Sequence, residues 1–213
     1  MTTKKIAVVG AGHVGATCSQ LLAQKELAQK VILLDIVEGI PQGKGLDQWE
    51  SAPIEGFDSR VIGANAYEEA EDSEVFIVTA GIARKPGMSR DDLLKTNAGV
   101  ISSVSREIKR VAPNAIVIVV TNPLDVMAQV ALEETGFPRE RVIGMAGVLD
   151  TARYRSFISL ELDVSIEDIQ ALVLGGHGDT MVPLASYTSV SGIPLSQLLS
   201  QDRIDALIER TRK

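Results

Sequence analysis

The sequence predicts an α/β protein built on a doubly wound parallel sheet. Before Gly144, short apolar runs alternate with helix-like stretches; the runs are Ile6–Val9, Lys30–Leu34, Arg60–Gly63, Val75–Thr79 and Ala115–Val120. The last two runs are rich in β-branched residues, which is typical of central strands covered on both faces. Because strands that alternate with helices pair in parallel through right-handed crossovers, the pattern indicates one sheet with helices on both faces.

The stretches between these runs carry helix signals. Residues Ala16–Glu26 form a helix-like stretch directly after the first run. Ser89–Val111 is predicted to be a long helix, because Ser89 can cap its start and Pro113 lies beyond its end. A further helix is expected to start at the Asn-Pro pair after the fifth run, with Pro123 at an early helical position.

A second domain is predicted after Gly144, where the pattern of apolar runs and helix-like stretches changes. The expected elements are a helix at Leu149–Leu162, strands at Ile169–Leu174 and Pro183–Val190, and a helix at Asp202–Thr211. We therefore predict two domains, residues 1–144 and residues 145–213.

A glycine-rich turn, Gly10-Ala11-Gly12-His13-Val14-Gly15, joins the first strand to the first helix. Gly10 permits a tight turn, Gly12 lets a phosphate approach the backbone, and Gly15 lets the helix pack closely on the strand. The helix N-terminus offers free N–H groups and a partial positive charge to an anion. The turn is therefore predicted to hold the pyrophosphate of a dinucleotide, and we interpret His13 as a loop residue without a catalytic role.

An acidic residue, Asp35, ends the second strand twenty residues after Gly15. Its carboxylate can accept both hydroxyls of a ribose, whereas a 2′-phosphate would meet its negative charge. The sequence therefore favours NAD over NADP.

Composition excludes several functional classes. The formal net charge of −7 argues against a nucleic acid or an anionic membrane as the main partner. The single Cys18 suits a reducing compartment, and we expect a structural thiol there. The sequence contains no run of secretory or membrane-spanning character, so a soluble cytoplasmic protein is expected. One cysteine and two separated histidines offer no metal-ligand cluster, so no metal is expected.

Several polar groups are placed where ligands bind in parallel sheets, beyond the carboxyl ends of strands. Asn122 follows the fifth strand and could bond the reactive end of a cofactor, or it could serve as a plain helix cap. The basic loop between Arg84 and Arg90 could close over a carboxylate, or it could be an exposed loop. Asp150 and Arg153 share one helix face, which also fits an ordinary surface ion pair.

His177 is the strongest candidate for acid–base chemistry. It stands in Gly175-Gly176-His177-Gly178-Asp179, and glycines on both sides give it no apolar packing. Imidazole is the side chain whose charge changes near neutral pH.

Taken together and in this order, the motifs resemble the lactate/malate dehydrogenase family over the whole chain. They are Gly10-x-Gly12-x-x-Gly15, Thr79-Ala80-Gly81, the loop Arg84 to Arg90, Thr121-Asn122-Pro123, Leu149-Asp150-x-x-Arg153 and Gly176-His177-Gly178-Asp179. The resemblance implies a Rossmann-type NAD domain followed by an α+β substrate domain. It also implies reversible hydride transfer between malate and oxaloacetate, because lactate-specific members carry glutamine where Arg84 stands.

The resemblance implies a role for each candidate residue. Arg153 would clamp one carboxylate, Arg84 the second, and Arg90 would polarise the carbonyl oxygen. His177 would be the acid and base, oriented by Asp150. Asn122 would orient the substrate or the nicotinamide amide, and further cofactor contacts would come from the glycine turn, Asp35, Asn97, Val120 and Thr121.

Two further expectations accompany the resemblance, and two alternatives to it remain. Relatives continue well past Lys213, so the substrate domain is expected to be incomplete in this chain. A homotetramer or homodimer is implied. The alternatives are a dehydrogenase for 2-hydroxy monocarboxylates such as lactate, which Arg84 disfavours, and a dinucleotide-binding module without catalysis. Such a module has no use for the combination of His177, Asp150, Arg153 and Arg90.

Overall fold

The computed structural model describes residues 3–83, 86–178 and 180–212. The chain divides into two compact units, Met1–Gly144 and Met145–Lys213.

The first unit alternates strands and helices. Its elements are β1 (Thr3–Val9), α1 (His13–Gln24), β2 (Ala28–Leu34), α2 (Ile40–Glu50), α3 (Ala52–Glu55), β3 (Arg60–Ala64), β4 (Val75–Val78), α4 (Arg90–Val111), β5 (Ile116–Val119), α5 (Leu124–Thr135) and β6 (Val142–Gly144), with 3₁₀ turns at Tyr67–Ala70 and Arg139–Arg141. Within the described residues these strands form one six-stranded sheet in the order β3-β2-β1-β4-β5-β6. Every pair in it is parallel. The predicted doubly wound parallel sheet is confirmed.

The strand order reverses between β1 and β4, which are neighbours in the sheet although two strands lie between them in the chain. The connections after β1 and after β4 therefore leave the sheet in opposite directions. A crevice opens at such a point beyond the carboxyl ends of the strands, where α/β sheets bind ligands.

The core of the first unit lies on both faces of this sheet. Val8, Val31 and Leu33 are fully buried, as expected for strands covered on both sides. Cys18 of α1 packs against the same cluster. Burial raises the pKa of its thiol above the ordinary value, so this thiol remains protonated at neutral pH.

The helix α4 begins as the sequence predicts. Ser89 caps it, with its hydroxyl oxygen accepting the backbone N–H of Asp92 at 3.0 Å, and the Asp92 carboxylate accepts from Ser89 in return. The helix α5 begins one residue later than predicted, because Pro123 has an extended backbone at the N-cap position and Leu124 is the first helical residue.

The second unit is built from shorter elements. They are α6 (Gly147–Leu162), β7 (Ile169–Gln170), β8 (Val173–Leu174), β9 (Val182–Pro183), β10 (Ser189–Val190), β11 (Ile193–Pro194), α7 (Leu195–Leu198) and α8 (Gln201–Arg212), with 3₁₀ turns at Ile166–Asp168 and Ala185–Tyr187. Its core gathers Tyr154 and Ile158 of α6 with Ile204 and Leu207 of α8.

For two runs of this unit, the prediction of one continuous strand is wrong. The run Ile169–Leu174 is two short strands in different sheets, because β7 pairs with β10 whereas β8 pairs with β9. The run Pro183–Val190 is interrupted by a 3₁₀ turn, in which the Leu184 carbonyl accepts the Tyr187 N–H and the Thr188 hydroxyl. That carbonyl is therefore satisfied locally instead of by a neighbouring strand.

None of the helices in the described part of the chain has the length and apolar character needed to cross a membrane.

Candidate active site

The glycine turn has the geometry that its sequence predicts. Gly10 has φ of +103°, a conformation that side chains disfavour, and its N–H donates to the Leu34 carbonyl at 2.7 Å. A side-chain carbon at Gly15 would collide with the Gly10 carbonyl. The helix α1 can therefore start directly behind β1, with the N–H groups of its first turn facing out of the sheet edge.

Asp35 anchors this turn. One carboxylate oxygen accepts the Ala11 N–H at 2.7 Å and the other accepts the Val37 N–H at 3.0 Å. Because each carboxylate oxygen has a second lone pair, these bonds leave acceptors for ribose hydroxyls. The residue that the sequence predicts to bind ribose thus also fixes the backbone that would bind the pyrophosphate.

A cavity of about 340 Å³ lies at the carboxyl ends of β1, β2 and β4. Its lining combines the glycine turn and Asp35 with apolar side chains, which include Ile36, Val37, Ile82, Val100 and Val104. A polar edge with one carboxylate beside an apolar slot suits a ribose with an attached planar base. The residues present therefore fit the adenosine half of NAD.

Hydroxyl side chains connect the ends of neighbouring strands beside this cavity. The Thr79 hydroxyl, after β4, lies 3.1 Å from the carbonyl oxygens of both Val9 and Gly10 and shares its single hydrogen between them. Thr121, after β5, donates to the Ala80 carbonyl at 2.8 Å and lies beside Val120, whose N–H bonds the Val78 carbonyl. The ends of β1, β4 and β5 are therefore cross-linked where the ligand is expected.

Asn97, an expected cofactor contact, lies buried between two loops. It is only 1% exposed, and its amide oxygen accepts the Ile82 N–H at 2.9 Å. Its amide nitrogen donates to the carbonyls of Ile82 at 3.2 Å and Asn122 at 2.8 Å. The side chain therefore joins the loop after β4 to the loop after β5, whereas the side chain of Asn122 is exposed.

Tyr67 is a cavity residue that the sequence reasoning missed. It lines the cavity just after β3. Burial raises the pKa of its hydroxyl, and the nearby Glu107 and Asp35 raise it further, so the phenol stays neutral. Its position beyond the carboxyl end of a strand is the signal that could have identified it.

The basic loop after β4 is described in part. Arg84, the predicted selector of the second carboxylate, lies outside the described residues, as do Lys85 and Asp179. Arg90 is the first residue of α4 and is exposed. Its guanidinium is available to a ligand, since none of the described residues forms a hydrogen bond or ion pair with it.

The second unit holds the predicted acid–base pair. His177 Nδ1 lies 3.0 Å from a carboxylate oxygen of Asp150, which is 1% exposed. A carboxylate can only accept, so Nδ1 carries the proton and Nε2 of the neutral ring is free to take one. Asp150 lies in the first turn of α6, where the helix dipole favours a negative charge.

Arg153 lies one turn further along α6. A guanidinium nitrogen of Arg153 is 3.9 Å from the other oxygen of Asp150, and this buried oxygen forms no hydrogen bond with the described residues. The same nitrogen donates to the Thr211 carbonyl of α8 at 3.2 Å. The structure therefore brings together His177, Asp150 and Arg153 within the second unit.

Both halves of the chain match one family. A family model described as lactate/malate dehydrogenase, NAD binding domain, matches residues 4–144, and one described as lactate/malate dehydrogenase, alpha/beta C-terminal domain, matches residues 147–213. The chain belongs to the lactate/malate dehydrogenase family.

Curated relatives make the likeness more specific. The malate dehydrogenase of Chloroherpeton thalassium is 60% identical over 98% of this chain and 67% of its own length. That of Rhodopirellula baltica is 57% identical over 100% of this chain and 68% of its own length. The chain thus spans about two thirds of these relatives.

Solved structures agree with this likeness. The malate dehydrogenase from Salinibacter ruber superposes with a TM-score of 0.92 at 53% identity, covering 98% of this chain and 66% of that one. A Cryptosporidium parvum lactate dehydrogenase superposes with a TM-score of 0.92 at 44% identity, covering 100% of this chain and 68% of that one. The comparisons confirm the predicted family, the NAD cofactor and the oxidoreductase class, and they favour the malate activity over the lactate activity.

Proposed function

We propose that the protein catalyses the reversible oxidation of malate to oxaloacetate with NAD as hydride acceptor. The observation that carries this proposal is the pairing of His177 with a buried carboxylate next to Arg153. A non-catalytic dinucleotide-binding protein has no use for an oriented imidazole beside a guanidinium.

The proton step follows from the hydrogen bond to Asp150. With Nδ1–H held by the carboxylate, Nε2 of His177 accepts the hydroxyl proton of malate as the carbon is oxidised. In the reverse direction the imidazolium returns this proton to oxaloacetate. Asp150 keeps the ring in the tautomer and orientation that both directions require.

Three arginines would bind the dianion. Arg153 would clamp the carboxylate next to the reacting carbon, since a planar guanidinium donates two parallel hydrogen bonds to a carboxylate. Arg84 would bind the second carboxylate and thereby select malate. Arg90 would stabilise the charge that develops on the carbonyl oxygen, and Asn122 would orient the same oxygen.

NAD would be held by the glycine turn Gly10–Gly15, with Asp35 bonding its adenosine ribose. When bound, it supplies the nicotinamide that takes the hydride. The apolar slot beside Asp35 supports this assignment because it suits the adenine base.

We further propose that the protein works in the cytoplasm, within the tricarboxylic acid cycle, as a homotetramer or homodimer. Clustered exposed apolar side chains support self-association: Val14, Leu21 and Leu27 line one surface depression and are 60%, 46% and 50% exposed. Cys18 is a free thiol, which suits a reducing compartment.

A paired assay tests the activity. We expect the full-length protein to oxidise NADH much faster with oxaloacetate than with pyruvate. Arg84→Gln should shift the ratio of kcat/KM values toward pyruvate by roughly a thousandfold or more, because an unpaired guanidinium in a closed pocket is costly beside a methyl group.

Arg139→Gln, which removes an equal charge from an exposed 3₁₀ turn, should leave this ratio unchanged. An unchanged ratio in the Arg84 variant would reject this residue as the selector. Binding of NADH without turnover at any pH would instead favour a dinucleotide-binding module.

A further inference from the structure

A lysine side chain of the helix α2 contacts the glycine turn. Lys44, in the middle of α2, is half-buried, and its ammonium donates to the Ala11 carbonyl at 2.5 Å. The two residues are 33 positions apart in the sequence. A charge-assisted bond of this kind is stronger than a bond between neutral groups.

The position of α2 makes this contact possible. A side-chain carbon at Gly63 of β3 would collide with the Pro41 carbonyl of α2, and one at Gly45 would lie 2.8 Å from the Gly63 backbone nitrogen. The helix therefore packs directly on the carboxyl end of β3. One turn of helix further along, the Lys44 side chain reaches the adjacent glycine turn.

The same helix holds the chain near Asp35 through a second set of contacts. Gln42 donates to the Asn65 side chain at 2.5 Å, and Asn65 donates to the Asp35 carbonyl at 2.7 Å. Both backbone polar groups of Ala11 are thus bonded: its N–H donates to the Asp35 carboxylate, and its C=O accepts from the Lys44 ammonium.

We propose that Lys44 is a positioning residue for dinucleotide binding. A pyrophosphate needs N–H groups turned toward it and carbonyl oxygens turned away. By holding the Ala11 carbonyl, Lys44 keeps the peptide between Ala11 and Gly12 in one orientation before the cofactor arrives. The binding step then does not have to order this peptide.

The inference rests on NAD binding at the glycine turn, as proposed above. Lys44→Met keeps most of the apolar stem but removes the ammonium, and we expect the Kd for NADH to rise roughly tenfold. The thermal midpoint of the ligand-free protein should fall by only a few degrees, because Lys44 is half-buried and the substitution removes one charge-assisted hydrogen bond. Lys44→Arg restores a cationic donor and should recover most of the affinity.

The experiment combines NADH fluorescence titration with hydrogen exchange of the ligand-free protein. In Lys44→Met, the amides of residues 10–15 should exchange faster, while those of β5 should not change. The matched control is Lys30→Met, which removes the same charge from an exposed position on β2. It should leave both the Kd and the exchange unchanged.

The outcomes separate the two levels of the proposal. If the unaltered protein does not bind NADH, the proposed function fails. If it binds NADH but Lys44→Met neither raises the Kd nor speeds exchange in residues 10–15, the positioning role is wrong. A raised Kd with unchanged exchange would also overturn it, since Lys44 would then contact the ligand instead of ordering the turn.

Discussion

Replacing Asp35 by serine tests how cofactor choice and loop structure are coupled. The carboxylate accepts the Ala11 N–H at 2.7 Å and the Val37 N–H at 3.0 Å. It is also the predicted acceptor for the adenosine ribose hydroxyls. The substitution therefore removes the charge that would repel a 2′-phosphate and, at the same time, releases the glycine turn.

The expected magnitudes follow from these contacts. A hydrogen bond to a charged group contributes about 1.5–3 kcal/mol. Loss of the ribose acceptor and of the Ala11 anchor should weaken NADH binding by roughly 100-fold, or about 2.7 kcal/mol. For NADPH, relief of the repulsion offsets much of the loss. The difference between the affinities for NADH and NADPH should therefore become smaller. NADPH should still bind the variant less tightly than NADH binds the unaltered protein.

Fluorescence titrations of NADH and NADPH against the unaltered protein, Asp35→Ser and Asp35→Asn provide the assay. Asp35→Asn is the matched control, because its amide oxygen can still accept one backbone N–H without a negative charge, so it should retain more NADH affinity than Asp35→Ser. If Asp35→Ser bound NADPH as tightly as the unaltered protein binds NADH, the carboxylate would have no role in holding the turn. Unchanged NADH binding by Asp35→Ser would show that the Asp35 carboxylate has no part in cofactor binding.

Three further substitutions test other parts of the structure. Asn97→Asp places a carboxylate oxygen against the two carbonyls that now accept hydrogen bonds from the Asn97 amide. Urea titration at pH 7 should show a free energy of unfolding lower by about 3 kcal/mol, and an unchanged midpoint would contradict the bridging role. Asp150→Asn should lower kcat by about a thousandfold or more while the Kd for NADH is retained, because an amide can donate to His177 Nδ1 and leave the proton on Nε2; a kcat near that of the unaltered protein would reject the tautomer assignment. Hydrogen bonds from Arg106, the larger cause, and from Ser102 lower the pKa of the Glu134 carboxyl group to about 2. The ionised carboxylate therefore contributes its full stabilisation above the ordinary pKa of 4.5, and this contribution is lost as the pH falls toward 2. Glu134→Gln should therefore reduce stability at pH 7 and show no difference near pH 2 in urea titrations across this range, whereas a difference independent of pH would disprove the ionic origin.

The accuracy of prediction differed between the two units for a physical reason. In the first unit, short continuous apolar runs rich in β-branched residues, such as Ala115–Val120, favour buried strands, and the strand found, Ile116–Val119, lies within that run. In the second unit, the run Ile169–Leu174 has a strand-like pattern, but its two halves pair with different partners. Strand partners are set by tertiary packing, which a local pattern does not encode.

The predicted site shows the same division. The positive φ of Gly10 and the position of Asp35 beside the glycine turn agree with the sequence, because one backbone conformation and one charge at a set spacing suffice to predict them, and their cofactor contacts stay predictions. Tyr67 was missed because it belongs to no motif and lines the cavity only through the position of its strand end. Asn97 was predicted from resemblance to contact the cofactor, which stays a prediction, and its hydrogen bonds to backbone groups of two loops are visible only in the structure.

By itself the sequence determined the parallel sheet, the glycine turn between the first strand and helix, the acid at the end of the second strand and the placement of Asp150 and Arg153 on one helix face. All of these depend on neighbours within a few residues or on one strand–helix unit. Resemblance predicted that Asp150 orients His177, but only the tertiary structure shows the bond between these residues, which lie 27 positions apart, and the bond between Lys44 and Ala11 across 33 positions. Such contacts depend on the directions in which side chains leave packed elements, and these directions are known only once the elements have packed.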